Sequence, residues 1–368
     1  MSKGVQSKLR VGVIGAGFMG GVHARAITRS GQRIVAVAAA TMVEAQSAAS
    51  TWNADRASTV DDLLDSQDLD VIHVCTPNHL HEEQARRSIL AGKHTICEKP
   101  LATTTKGARQ LTDLANERGV VAAVPFIYRF YGSVREARER IKRGDAGAVR
   151  LVHGSYLQDW LAETTDTNWR IDPRMGGASR AFGDIGIHWC DLVEFISGQR
   201  ISSLSASLAT VVRGRSEAES DPSLAGTEDV ASLIFTMNNG ATGSLVCSQV
   251  SLGRKNRLWL SIDGEHAAYS FDQENPDSLW IGNRNQVTIM PRGSKGQTSA
   301  AALYDRTPAG HPQGYQDCFD AFVKDVYSAI LGQEPEGLPT FSDGLRAATL
   351  VDAVLASATS RSWVEVST

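Results

Sequence analysis

Val11-Gly12-Val13-Ile14-Gly15-Ala16-Gly17-Phe18-Met19-Gly20 runs from an apolar segment into three glycines at G-x-G-x-x-G spacing. The apolar residues read as a short buried strand, and a helical pattern begins at Met19. Each glycine in such a strand-to-helix turn has its own task. Gly15 permits the tight turn, Gly17 lets a pyrophosphate approach the backbone, and Gly20 lets helix and strand pack closely, with the helix N-terminus facing the phosphates. Alone the motif is weak, but at the first strand of an alternating strand and helix pattern it points to a dinucleotide.

That pattern continues outward from the motif. Residues 9–14, 34–39, 71–75 and 94–97 read as strands, and 19–30, 43–52, 61–64, 81–91 and 105–118 as helices, before an apolar run at 120–127. Strands alternating with helices predict βαβ units and a doubly wound parallel sheet, a Rossmann domain over residues 1–126. Beyond it the period changes. A helix at 133–143 is followed by a strand-like run at 149–158, and after a helix at 184–197 further runs follow in series at 203–212, 229–237, 241–250, 257–263 and 266–271. Asn238-Asn239-Gly240 and Asp263-Gly264 are hairpin signals, so residues 127–368 are expected to form an α+β domain with a large, mostly antiparallel open sheet. The polar segments 214–226 and 292–300 read as mobile loops.

Composition excludes several classes. The 368 residues suit about two domains at roughly 100–200 residues each. A balance of 37 Lys+Arg against 41 Asp+Glu, net −4, offers no basic field for nucleic acid. Five cysteines without C-x-x-C or zinc spacing speak against disulfides and a structural metal site, and for a reducing compartment. No apolar run reaches the ~18 residues of a membrane span. These features predict a cytoplasmic protein with no bound metal.

Three further places carry chemistry. The second strand ends in Ala38-Ala39-Ala40-Thr41, without the acid that would bind a ribose 2′-hydroxyl or an arginine for a 2′-phosphate. NAD and NADP therefore both remain open, with a lean to NAD because no phosphate partner is visible; Ala40 and Thr41 are candidates at that end. Thr76-Pro77-Asn78 with His81, and Glu98-Lys99-Pro100, lie at strand ends on the edge where such sheets bind ligands. An arbitrary Lys99 would be a solvated partner of Glu98, but its site position favours a working lysine. His79 and His81 lack the carboxylate company of metal ligands. Finally, in a helix over 184–197, Asp184, His188 and Asp191 share one face, and a carboxylate one turn away can orient an imidazole acting as base. A lone D-x-x-x-H of this kind would more often be a helix cap beside a packed core histidine.

The ordered combination Gly15-x-Gly17-x-x-Gly20, Glu98-Lys99-Pro100, Gly176-Gly177 and Asp184-x-x-x-His188 resembles the Gfo/Idh/MocA family, which includes glucose-fructose oxidoreductase and inositol dehydrogenase. The resemblance extends to Pro339-Thr340-Phe341-Ser342-Asp343-Gly344. It implies an NAD(P)-dependent oxidoreductase acting on a hydroxyl of a sugar or polyol, with Lys99, Asp184 and His188 as catalytic residues and His188 as proton acceptor. It also implies Phe18, Met19 and the Trp169-Arg170 pair near the cofactor, and a homodimer or homotetramer through the C-terminal sheet. Tyr128, Tyr156, Gln158 and Trp160, the last three alternating along one strand, suit a carbohydrate, as do His311 and Tyr315. Arg170, Arg174 and Arg180 would suit an anionic sugar if they converged. Two alternatives remain: a redox glycosidase that oxidises, eliminates and re-reduces, and a cofactor-binding regulator without catalysis.

Overall fold

A computed structural model describes residues 8–212 and 227–367; the expected loop at 214–226 lies outside them. By its contacts the chain forms two units: one contains the chain up to Pro125 together with Phe319–Leu345, the other Phe126–Cys318 and the chain from Arg346. A division at residue 126 alone thus misses a returning segment.

The first unit has β1 (Arg10–Ile14), α1 (Phe18–Arg29), β2 (Arg33–Ala38), α2 (Met42–Thr51), β3 (Arg56–Ser58), α3 (Val60–Asp65), β4 (Val71–Val74), α4 (His81–Leu90), β5 (His94–Cys97), α5 (Thr105–Arg118) and β6 (Ala122–Ala123). Its six strands are ordered β3-β2-β1-β4-β5-β6 and are all parallel. Strands buried on both faces are mainly apolar, and Val11, Val13, Ile14, Val37, Ile72 and Val74 are fully buried, with His73 in β4 and Thr95 in β5 as polar exceptions. β3 escapes sequence analysis because three residues show no period. The returning segment is held by main-chain and polar contacts: Val124 N donates to the Pro339 carbonyl, Thr112 Oγ1 to that of Phe341, and Arg29 pairs with Asp320 at 2.8 Å.

The second unit begins with α6 (Gly132–Lys142) and β7 (Val149–Leu157), then a short α7 (Pro173–Gly176), a π-helical turn (Phe182–Gly186) and α8 (Ile187–Ser197). There follow β8 (Ile201–Ala209), β9 (Val230–Met237), β10 (Thr242–Ser248), β11 (Arg257–Gly264), β12 (Ala268–Asp272), β13 (Ser278–Gly282), β14 (Val287–Pro291), α9 (Ser299–Ala302), α10 (Tyr315–Ile330), α11 (Phe341–Ser360) and β15 (Val364–Glu365). Helices α10 and α11 run across the division between the units. Nine strands form one sheet in the order β14-β13-β12-β11-β7-β10-β9-β8-β15. Among the described residues, only β7 and β10 of this sheet pair in parallel. α8 is seated on this sheet by Trp189, whose Nε1 donates to the Trp259 carbonyl at 2.9 Å. Gly154 makes room for it, since a Cβ there would lie 2.7 Å from that nitrogen.

The Asn-Asn-Gly hairpin joins β9 to β10 as expected. Asp263-Gly264 is not the second hairpin loop: Asp263 pairs with Ala268 and Gly264 N donates to the Ala267 carbonyl, so the chain reverses at Glu265-His266. β13, β14 and β15 were not expected. Nor is 292–300 a loose loop at its start, because buried Arg292 donates to Asp277 and to the Thr307 and His311 carbonyls.

The β1–α1 turn provides a fold-level test. A Cβ on Gly20 would lie 1.9 Å from the Gly15 carbonyl oxygen, whereas one on Gly17 meets nothing within 4 Å. We expect Gly20→Ala to lower the melting temperature clearly, on the scale of an overpacked core site at about 1–3 kcal/mol. Gly17→Val should melt close to wild type; calorimetry on both variants measures the contrast.

Candidate active site

In the first unit the candidate residues cluster at the C-terminal ends of β1, β2, β4 and β5. Gly15 adopts φ +109°, a backbone region open to glycine, and its N–H donates to the Ala38 carbonyl at 2.8 Å. A Cβ there would meet the Cys75 carbonyl oxygen at 2.5 Å, so the turns after β1 and β4 lie against each other. Gly17 is the N-cap of α1 with no side-chain cap, and the first turn carries no acid. An uncapped helix N-terminus beside open glycine backbone fits a pyrophosphate. Phe18 is 76% exposed, and Met19 half-buried.

At the end of β2, Ala40 is exposed and Thr41 caps α2: its Oγ1 accepts the Glu44 N–H, and Glu44 accepts the Thr41 N–H in return. After β4, Thr76 Oγ1 donates to Gln84 at 2.7 Å and Asn78 is buried. His81, read from sequence as a cofactor contact, is buried with Nδ1 2.8 Å from the Pro100 carbonyl and Nε2 2.7 Å from that of Thr76. Its ring therefore braces the loops after β4 and β5. Burial lowers its pKa, against the two hydrogen bonds.

Glu98 is buried and Lys99 half-buried, ahead of Pro100. Glu98 Oε2 accepts the Lys99 N–H at 3.1 Å, and Oε1 lies 3.1 Å from His23 Nε2. Burial pushes the Glu98 carboxyl up, but the hydrogen bond from His23, with the Lys99 cation, outweighs it and holds the group below its ordinary value. His23 escaped the sequence reading, being one residue inside an otherwise apolar helix face.

The second unit gathers another set. Asp184 lies within the π-helical turn, not within a continuous α-helix from 184 to 197. The expected common face of Asp184, His188 and Asp191 does not form one cluster: Asp191 is ion-paired with Arg129. The π-turn's wider winding displaces what precedes it from α-helical register. Glu228 anchors this turn, its buried carboxylate accepting the N–H groups of Arg180 and Phe182 and the Ser179 hydroxyl. Asp184 Oδ2 accepts from Gln249 Nε2 at 2.9 Å, while Oδ1 lies 3.5 Å from Arg170 Nε. The Arg170 guanidinium stacks on Trp169 at 4.2 Å.

His188, 8% exposed, meets Phe126 and Tyr128 edge to face, with centroids 5.5 and 5.2 Å away. From Tyr128 a polar chain extends. The Tyr128 and Tyr156 hydroxyls are 2.5 Å apart, and Asn256 Oδ1 accepts from Tyr156 and from Gln158 Nε2, each at 2.8 Å. Trp160 Nε1 donates to Gln158 Oε1, completing the set. β7 ends at Leu157, so Gln158 and Trp160 join Tyr156 through Asn256 and not by strand alternation. Burial raises the pKa of both tyrosines, so they are neutral donors at ordinary pH. Asn256 and Gln249 were missed, as isolated polar residues in turn and strand-end sequence. Tyr315 packs against Tyr128 at 6.5 Å, whereas His311 is exposed and its carbonyl holds Arg292.

The three arginines do not converge. Arg174 is exposed on Asp172 at 2.7 Å, Arg180 is buried on Asp229, and Arg170 faces Asp184. Among the described residues no cluster of His, Cys, Asp and Glu is placed to hold a metal ion, and no helix is long and apolar enough to cross a membrane.

Known proteins share the sequence pattern and the fold of this chain. Residues 9–126 match an oxidoreductase family with an NAD-binding Rossmann fold, GFO/IDH/MocA, and residues 134–270 match the C-terminal domain of the same family. The chain is 30% identical to levoglucosan dehydrogenase of Pseudarthrobacter phenanthrenivorans, over 97% of its own length and 98% of the relative's. It is 26% identical to inositol 2-dehydrogenase of Rhizobium meliloti, over 97% and 99%. A solved levoglucosan dehydrogenase in complex with NADH and levoglucosan superposes with a TM-score of 0.89 at 29% identity, covering 98% of this chain and all of that one. With an uncapped glycine turn at the head of a parallel sheet and relatives matched along nearly its whole length, this chain belongs to the GFO/IDH/MocA family of NAD-binding oxidoreductases.

Proposed function

We propose that this protein oxidises a secondary hydroxyl of an uncharged sugar or polyol, with His188 accepting the hydroxyl proton. The observation that carries the reading is the surroundings of His188: an imidazole between two aromatic rings, one of which opens onto the Tyr128-Tyr156-Asn256-Gln158-Trp160 set. Amide and phenol groups with aromatic faces are the chemistry that holds a carbohydrate. Bound NAD supplies the acceptor for the hydride that leaves the carbinol carbon. Asp184, held by Gln249 and facing Arg170, receives substrate hydroxyls and orients the reacting group. Lys99 polarises the reacting oxygen. An uncharged substrate follows from the arginines, each of which already has a carboxylate neighbour. The relatives named as levoglucosan and inositol dehydrogenases support the substrate class.

We further propose self-association through the open sheet. Leu151, Ile234, Val246, Val287 and Ile289 are exposed on its uncovered face, with Trp259 and Trp280 lining a shallow groove there.

Each assignment has its own test. Gly17→Val, folded as wild type, should lose most of its NAD affinity in a nicotinamide fluorescence titration, because the side chain occupies the space of the pyrophosphate. A panel of neutral sugars and inositols should produce NADH at 340 nm, and His188→Ala should lower that rate about 10²–10⁴-fold at unchanged NAD affinity. In the wild type kcat/KM for oxidation should rise with pH, since only the neutral imidazole accepts a proton; a folded His188→Ala of normal rate would refute its role. For assembly, light scattering should show a multiple of 39.6 kDa that falls to one chain when Ile234 and Val246 are both changed to Lys.

A further inference from the structure

Beneath Lys99 lies a file of buried polar side chains that the reaction does not use. Tyr327, His73 and His23 lead to Glu98, and each is nearly inaccessible: 3%, 0%, 0% and 5% exposed. The contacts are Tyr327 OH to His73 Nε2 at 2.8 Å, His73 Nδ1 to His23 Nδ1 at 2.7 Å, and His23 Nε2 to Glu98 Oε1 at 3.1 Å. At its far side Glu98 Oε2 accepts the Lys99 N–H. Four elements contribute: α1, β4, the end of β5 and α10.

The direction of every proton in this file is determined from both ends. An ionised carboxylate only accepts, so His23 carries its proton on Nε2 and presents a lone pair at Nδ1. His73 must then donate from Nδ1, which leaves its Nε2 as an acceptor for Tyr327. From the other end, His73 Nε2 is the hydrogen-bond partner that the structure gives the Tyr327 hydroxyl, so the phenol proton must go there or be left unmet in a buried site. The two derivations meet in one arrangement with both imidazoles neutral. Burial depresses the basicity of His73 strongly, in keeping with this. If His23 were instead a cation, it would donate to His73, His73 would donate to Tyr327, and the phenol proton would lose its acceptor.

We propose that Tyr327, His73 and His23 are positioning residues: a one-way hydrogen-bond chain that keeps Glu98 ionised and aimed, so that Glu98 grips the backbone of Lys99. The role of Lys99 rests on the dehydrogenase reading above; the chain itself does not. Hydrogen-bonded files polarise in one direction, so removing the terminal donor weakens each link down to the carboxylate.

The test uses the full chain labelled with 15N, with and without NAD. Histidine side-chain spectra, assigned through His23→Gln and His73→Gln, should show His73 protonated on Nδ1 and His23 on Nε2. A cationic His23, or His73 protonated on Nε2, overturns the chain. In Tyr327→Phe the His73 Nε2 resonance and the Lys99 backbone amide should both shift. The oxidation kcat should fall about tenfold, as for other supports behind a working group, with KM and NAD affinity unchanged. An unmoved Lys99 amide overturns the positioning role, as does an unchanged kcat in an enzyme whose wild type oxidises sugars. If the wild type oxidises no sugar, the dehydrogenase reading fails, and the tautomers and the Lys99 amide decide this proposal alone. If Tyr327→Phe does not fold, the wild-type tautomers still decide the chain.

Discussion

The approach of Gly20 to Gly15 is the constraint on which the first unit depends. Two backbone segments come so close that no side-chain carbon fits between them. This closeness turns α1 back along β1, brings its uncapped N-terminus to the sheet edge and ties that edge to β2 through the Gly15 N–H. The turns after β4 and β5 then converge on the same edge, braced by His81 across two carbonyls. The anion-binding character of the edge thus follows from backbone geometry, which is why glycine is required there and charge is not.

In the second unit an equally close contact does corresponding work. Gly154 lets Trp189 reach the sheet and donate to a strand carbonyl, which sets the height and rotation of α8, and His188 is the adjacent residue. The π-helical turn ahead of it is held by Glu228, a buried carboxylate receiving two backbone N–H groups. Buried charges here are paired or hydrogen-bonded throughout: Arg180 with Asp229, Arg346 with Glu194, Glu98 with His23. Breaking one partner of such a pair would leave an uncompensated charge, so these groups specify geometry more than they add net stability.

The main strands of the parallel sheet, the glycine turn and the Glu98-Lys99-Pro100 edge were legible because each depends on local sequence: apolar runs, a fixed glycine spacing, a strand end. Edge strands such as β3 and β15 were not, being two or three residues whose pairing is decided by their neighbours. The π-turn was read as ordinary helix, since Phe182–Gly186 has no sequence mark of its own and is imposed by Glu228 from a distant position. Arg180 would suit an anion only if it converged with Arg170 and Arg174, and its buried ion pair with Asp229 commits it elsewhere.

By itself, the sequence determined the doubly wound class and the dinucleotide turn, because strand period and backbone permissiveness are properties of residues and their near neighbours. Only the tertiary structure decided which polar groups hold one another. Asn256 gathers Tyr156 and Gln158, Gln249 holds Asp184, and Tyr327 lies at the head of a file ending at Glu98. Hydrogen bonds act over about 3 Å. A partner tens to hundreds of residues away in the chain is brought within that range only by the packing of the intervening core.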